Sequence, residues 1–260
     1  MNESIELYDA LLSEVDDQKT RRVVVGVNWT LVESENGCGL AHTPQRDATG
    51  CQPIANAGKL TDTTLRATAA LITSDNPMEA AIGMAGINAF YNTYNLVGSN
   101  SNGLDTFEKV VGPVTVVGRF PGLEKRIQNL HIIERAPREG EFGEEEADQL
   151  LPESAAVILT ASTLVNGSAG RLLKLARGIP VALVGPSTPL APPLYDLGVN
   201  ILAGMVVDDV EGAAIATVVA SLWMFVHYGV YLFSKQIKSR FAVLSLSVDG
   251  VMMNRQLRLA

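Results

Sequence analysis

The sequence predicts an α/β protein in two parts, a small N-terminal α+β unit followed by a doubly wound parallel sheet. Beyond residue 104, five short apolar runs alternate with helical or turn segments, the pattern of buried parallel strands and their crossovers. Before it, strand-like stretches precede two helical ones, the order of a compact α+β unit. Residues 95–104 (Asn95-Leu96-Val97-Gly98-Ser99-Asn100-Ser101-Asn102-Gly103-Leu104) form the most linker-like segment, which suits a boundary or a lid. The expected domains are therefore 1–98 and 104–260.

The elements follow in order. Ile5, Tyr8, Leu11, Leu12 and Val15 recur at helical spacing, with acids on the other face. Residues 23–32 form one β-prone run, and 40–43 return as a second strand, giving a hairpin or short meander. Residues 44–58 are rich in turn formers. A helix over 65–72 precedes a second that begins at Asn76-Pro77-Met78-Glu79, with Asn as N-cap, Pro at the first helical position and Glu closing the cap. Gly83, Ala85 and Gly86 give this second helix a small face for close packing.

The sheet strands are then 114–118, 130–134, 157–160, 181–185 and 200–207. A helix opens at Leu123, an acidic loop covers 139–148, and a short proline-started helix covers 190–198. A further strand is expected over 241–248.

At 260 residues, 47% hydrophobic and 18% charged, the chain can bury a full core. A net charge of −8, with no basic run, argues against nucleic acid as the main partner. Cys38 and Cys51 form no CxxC pair and read as free thiols of a reducing compartment. The acidic N-terminus lacks the pattern of a signal peptide, so a cytoplasmic location is expected. Residues 212–234 carry no formal charge and approach the roughly 20 residues of a bilayer span. Ser221, His227, Tyr228 and Gly229 interrupt them, which favours a buried helix and then a strand, with no membrane partner.

Candidate chemistry concentrates at the carboxyl ends of the parallel strands, where open α/β sheets bind ligands. The turn Gly118-Arg119-Phe120-Pro121-Gly122 stands where a dinucleotide fingerprint would, but it is not GxGxxG. Phe120 and Pro121 would block a pyrophosphate, which disfavours NAD or FAD bound in the usual way. Glu134 ends the second strand, either as a ligand anchor or as an ion-pair partner of Arg135 or Arg119. Thr160, Ser162, Thr163 and Asn166 offer more polar groups than helix capping needs and suit an anion or polar heterocycle. Gly185, Ser187 and Thr188 repeat the arrangement one strand later, in a turn stiffened by Pro186 and Pro189. Cys38, His42 and Cys51 match no zinc spacing, and no metal site is expected from them. His131 and His227 read as core histidines. GxSxG, HExxH and a Walker A lysine are all missing.

These residues resemble those of a known family, the heavy-metal chelation family. The matching blocks are Val117-Gly118-Arg119-Phe120-Pro121, Ile133-Glu134-Arg135, the run from Leu150 through Thr160 to Gly167, and Val184-Gly185-Pro186-Ser187-Thr188-Pro189-Leu190. Gly26-Val27-Asn28-Trp29-Thr30 and Gly86-Ile87-Asn88-Ala89 extend the resemblance into the first half. The resemblance implies an enolase-N-terminal-like domain, then a Rossmann-like domain, with a ligand site at their junction. It implies ligand-binding roles for Glu134, Thr160, Ser162, Thr163, Asn166, Gly185, Ser187 and Thr188, for Thr30 and Asn88 of the first half, and for Gly118 and Phe120 of the first block.

The implied activity is condensation or hydrolysis in pterin, flavin or siderophore-like chelator metabolism, with Glu134 as the candidate acid/base. The ligand would be a small polar heterocycle or a metal chelate. Alternatives are a non-catalytic binder of a metal chelate and an S-adenosylmethionine-dependent, methyltransferase-like protein. The cofactor stays open, as does assembly as a homodimer. After Lys235 the sequence departs from the glycine-rich, basic ending usual in the family, which puts any site residue from that tail in doubt.

Overall fold

The computed structural model describes residues 3–44, 53–99 and 102–208. The helix and strand expected within 212–234, the strand over 241–248, Cys51, His227 and the tail lie outside the described residues.

Helix α1 spans Glu3–Leu12. It buries Leu7, Tyr8 and Leu11, with Val15 just past its end, while Ile5 is 50% exposed. The buried face is thus the row 7, 8, 11, 15, and Ile5 lies off it. Strands β1 (Arg22–Val25), β2 (Trp29–Glu33) and β3 (Cys38–His42) form an antiparallel meander. The single strand expected over 23–32 is in fact two. Gly26 N–H donates to the Trp29 carbonyl at 3.0 Å, turning the chain so that Val25 faces Thr30. The unbroken β propensity of the run hides this turn, whose only marks are Gly26 and Asn28.

Helix α2 (Leu65–Ala69) runs into a single 3₁₀ turn, Ala70–Thr73, and α3 covers Pro77–Tyr91. The start of α3 is as expected: Asn76 Oδ1 accepts the Met78 N–H at 3.0 Å, with Pro77 next to the cap. Glu79 does not close the cap. Its carboxylate accepts from the Ala55 N–H and the Ser74 hydroxyl, each at 2.6 Å. From Glu79 to Ala89 every residue of α3 is buried. Glycine makes that possible, since a Cβ on Gly39 of β3 would lie 2.0 Å from the Ala85 carbonyl oxygen. A Cβ on Gly83 would lie 2.0 Å from the backbone nitrogen of Ile72.

The second half carries β4 (Val114–Val117), β5 (Leu130–Ile133), α4 (Ala147–Leu150), β6 (Ala156–Thr160), α5 (Ser162–Val165), α6 (Ala169–Leu175), β7 (Val181–Val184), α7 (Pro193–Asp196) and β8 (Ile201–Ala203). The five strands are parallel, in the order β5-β4-β6-β7-β8. The helix expected at Leu123 is one 3₁₀ turn, Leu123–Lys125. The last strand pairs only over Ile201–Ala203, well short of the run 200–207. The acidic stretch 139–148 contains the turn Glu144–Glu146 and the start of α4.

Alternation along the strands divides the side chains between two cores. Val157, Leu159, Val181 and Leu183 join a cluster that continues into Leu7, Leu11, Ile82 and Ile87 of the first half. Ala156, Ile158, Ala182 and Val184 pack on the other face against Phe107, Leu123 and Ile127. Each fully buried aliphatic side chain contributes about 1.5–3 kcal/mol. A polar clip reinforces this shared core. Asn92 Nδ2 donates to the carbonyls of Thr188 and Met205 at 3.0 Å each, and its Oδ1 accepts the Leu190 N–H at 2.8 Å.

Candidate functional site

Strand order reverses direction between β4 and β6, and open sheets of this kind bind ligands beyond the carboxyl ends of the strands at such a switch point. Gly118, directly after β4, has φ of 101°, and a Cβ there would lie 2.6 Å from Thr160 Cγ2 at the end of β6. The close approach of the two strand ends therefore requires glycine. A cleft of about 1120 Å³ opens at this place. Its walls are the ends of β4 to β7, one side of α1, the segment 72–80, and the open end of the β2–β3 hairpin.

Eight of the sequence-predicted residues line this cleft: Gly118, Glu134, Thr160, Ser162, Thr163, Asn166, Gly185 and Ser187. Four do not. Thr30 is fully buried, its hydroxyl 2.9 Å from that of Thr43. Asn88 is fully buried and donates to the Leu40 carbonyl at 2.6 Å, and Thr188 is fully buried, its backbone carbonyl accepting from Asn92 at 3.0 Å. Phe120 turns into the second core. The Thr30 hydroxyl, the Asn88 amide nitrogen and the Phe120 ring are thus engaged by other elements, whereas Asn88 Oδ1 and Thr188 Oγ1 are buried with no hydrogen-bond partner among the described residues.

Within the cleft, several polar groups are already engaged. Thr163 Oγ1 donates to the Thr160 carbonyl at 2.7 Å, and Asn166 Oδ1 accepts from Ser168 N–H and hydroxyl at 3.0 and 2.6 Å. Ser187 Oγ accepts the His42 N–H at 2.8 Å. Among the described residues the Thr160 and Ser162 hydroxyls have only each other, 3.2 Å apart.

Glu134 is half-buried, and its carboxylate has no hydrogen-bond or ion-pair partner among the described residues. The arginines that could have neutralised it are taken. Arg119 makes a two-point pair with Glu141 at 2.7 and 2.5 Å, and Arg135 pairs with Glu144 at 2.9 Å. The Arg119 hydrogen bonds, followed by one from the Arg138 N–H, hold the Glu141 carboxyl down at about 2.

The structure adds residues that the sequence did not single out as ligand-binding. Trp29 and His42 face one another across β2 and β3, ring centroids 6.0 Å apart and planes at 89°, and both line the cleft. Burial lowers the His42 pKa from its ordinary value. Only the hairpin register pairs these two rings, so no spacing rule announces them. Tyr8 and Ser4 of α1 complete the floor, their hydroxyls donating to the carbonyls of Leu164 at 2.6 Å and Gly167 at 2.7 Å. Burial pushes the Tyr8 hydroxyl up to about 12, so it stays a donor.

Two family profiles, both described as "Putative heavy-metal chelation", match residues 8–91 and 104–227. A crystal structure from Desulfitobacterium hafniense DCB-2, of a protein of unknown function in the family matched at 104–227, is 32% identical. The match covers 76% of this chain and 85% of that one, with a TM-score of 0.68. The chain belongs to the heavy-metal chelation family. A second member of unknown function, from Pyrococcus horikoshii, shares the fold at 22% identity, with 85% and 94% of the two chains covered and a TM-score of 0.66. No curated protein matches the sequence.

The description of the heavy-metal chelation family invites a test of the donor set. Among the described residues, no three side chains of His, Cys, Asp or Glu converge to hold a metal ion. Cys38 is fully buried, and burial, with Glu33 adding to it, pushes its thiol up to about 12. A protonated thiol is a poor metal ligand. The described residues do not fit a metal ion bound directly by protein side chains. Among them, no helix is long and apolar enough to cross a membrane.

Proposed function

We propose that the chain binds a small polar heterocycle or chelator precursor in the switch-point cleft, between an N-terminal domain of residues 1–98 and a C-terminal domain of residues 104–260. The supporting observation is Glu134: a half-buried carboxylate lining the cleft with no hydrogen-bond or ion-pair partner among the described residues, near arginines that pair with other acids. Such a group accepts N–H or O–H donors of a ligand and can take up a proton. The Thr160 and Ser162 hydroxyls, bonded among the described residues only to each other, can turn toward a ligand carbonyl or anionic oxygen. Condensation or hydrolysis of a pterin, flavin or siderophore-like molecule is the chemistry proposed for this cleft, with Glu134 as its acid/base.

Thermal-shift measurements with pterins, flavins and catechol fragments test the site. A ligand at 100 times its Kd stabilises the folded chain by about 2.7 kcal/mol, a shift well within measurement. Glu134→Gln and the isosteric Thr160→Val are each expected to reduce the shift given by the same ligand. Equal shifts in wild type and both variants would remove the assignment.

A second reading is a binding protein for a metal chelate. The cleft volume of about 1120 Å³ favours it, being far larger than a bare cation needs and suited to a metal inside its own chelator. Elemental analysis with native mass spectrometry of freshly purified protein separates the two readings. A retained intact metal complex without turnover supports the second; turnover of a heterocycle supports the first.

A further inference from the structure

We propose that Trp29 and His42, their planes at 89°, form an aromatic wall of the cleft in which one ring lies against the face of a planar ligand and the other meets its edge, so that the N-terminal hairpin sets ligand specificity. This rests on the reading that the cleft takes a heterocycle anchored by Glu134. Along one face of the hairpin, Trp29 and His42 begin a row that continues through Leu31 and Leu40 to Glu33 and Cys38. Leu31 and Cys38 are fully buried in a cluster with Val207. Trp29 and His42 are not: they emerge at the end of the row, half-buried, into the cleft.

The wall is fixed relative to the strand ends, because the Ser187 hydroxyl in the turn after β7 accepts the His42 backbone N–H. The imidazole itself has no hydrogen-bond partner among the described residues. Its desolvated setting favours the neutral ring, which offers one donor and one acceptor along with its face. The carboxylate of Glu134 and this wall line the same cleft, one addressing the polar edge of a ligand and the other its flat face.

The test is a fluorescence titration of the full chain with two planar probes, pterin-6-carboxylate and riboflavin, and with citrate as an anion that has no aromatic face. The chain has two tryptophans, so subtraction of the Trp29→Phe trace isolates Trp29. Planar probes are expected to quench Trp29. Trp29→Ala and His42→Ala should each weaken planar-probe binding roughly tenfold, whereas Trp29→Phe and His42→Phe hold it within about threefold. Rescue by phenylalanine separates stacking from loss of folding. If the alanine variants bind like wild type while Glu134→Gln loses binding, the wall is overturned and the cleft reading stands. Equal losses for citrate and the planar probes also overturn the wall. If wild type binds neither planar probe, both readings fall.

Discussion

Glu134 and Glu141 lie seven positions apart, and of the two only Glu141 has an ion-pair partner among the described residues. The chain turns back through Gly140, with Glu141 N–H donating to the Arg138 carbonyl at 2.9 Å, and Glu141 meets the Arg119 guanidinium. The Glu141 carboxyl is thereby lowered from 4.5 to about 2. A carboxyl with a depressed folded-state pKa adds stability that is present above its unfolded pKa and disappears as pH falls through the folded one. Between pH 4.5 and pH 2 the urea midpoint of wild type should therefore fall more steeply than that of Glu141→Gln. The variant should start lower at pH 7, and the two should converge near pH 2. Parallel curves over that window would show that the pair contributes nothing to folding.

The same residues show what the sequence concealed. In sequence, Glu134 reads either as a ligand anchor or as an ion-pair partner of Arg135 or Arg119; in the structure Arg119 bonds Glu141 and Arg135 pairs with Glu144, while the charge of Glu134 still acts on Arg119. Thr30, Asn88 and Thr188, expected from the family resemblance to contact a ligand, are fully buried and do not line the cleft: the Thr30 hydroxyl meets that of Thr43 and Asn88 donates to the Leu40 carbonyl, placements that only the fold supplies.

At the scale of elements, what was legible is what composition alone specifies. The buried parallel strands are continuous apolar runs, the α3 start is a cap followed by proline, and the small residues of α3 signalled close packing. Boundaries set by a hydrogen bond or a register were not legible, such as the turn inside 23–32 and the shortness of β8. The contact of β3 with α3 carries a sharp prediction. A Cβ on Gly39 would meet backbone atoms at 2.0, 2.3 and 2.7 Å, and backbone cannot give way as a flexible side chain can. Gly39→Ala is expected to destabilise by on the order of 1–3 kcal/mol or more, the usual range for overpacking. Gly98→Ala, with nothing within 4 Å, is the control. Urea unfolding of both variants decides it, and similar midpoints would mean that strand and helix can separate without cost.

For the molecule as a whole, the question is what joins the two differently built halves, both of which contribute residues to the cleft. The apolar core crosses the junction, but apolar contact is non-directional and does not by itself fix register. Asn92 supplies the direction. It ends α3 and uses both donors and its acceptor on the backbone of Thr188, Leu190 and Met205. That segment begins next to Ser187, which holds the His42 end of the hairpin.

Replacing Asn92 by alanine leaves three backbone groups, one buried and two part-buried, without these partners, at about 1–3 kcal/mol for each that water cannot reach. Two outcomes are expected of Asn92→Ala. The urea midpoint falls, and transitions followed by tryptophan fluorescence and by far-ultraviolet circular dichroism, coincident in wild type, separate as the halves lose their coupling. Binding of a planar probe should weaken as well, although Asn92 does not line the cleft, because the turn that positions His42 is no longer held. A variant with wild-type midpoint and coincident transitions would mean that the hydrophobic core alone joins the halves, and that the alignment of the cleft owes nothing to Asn92.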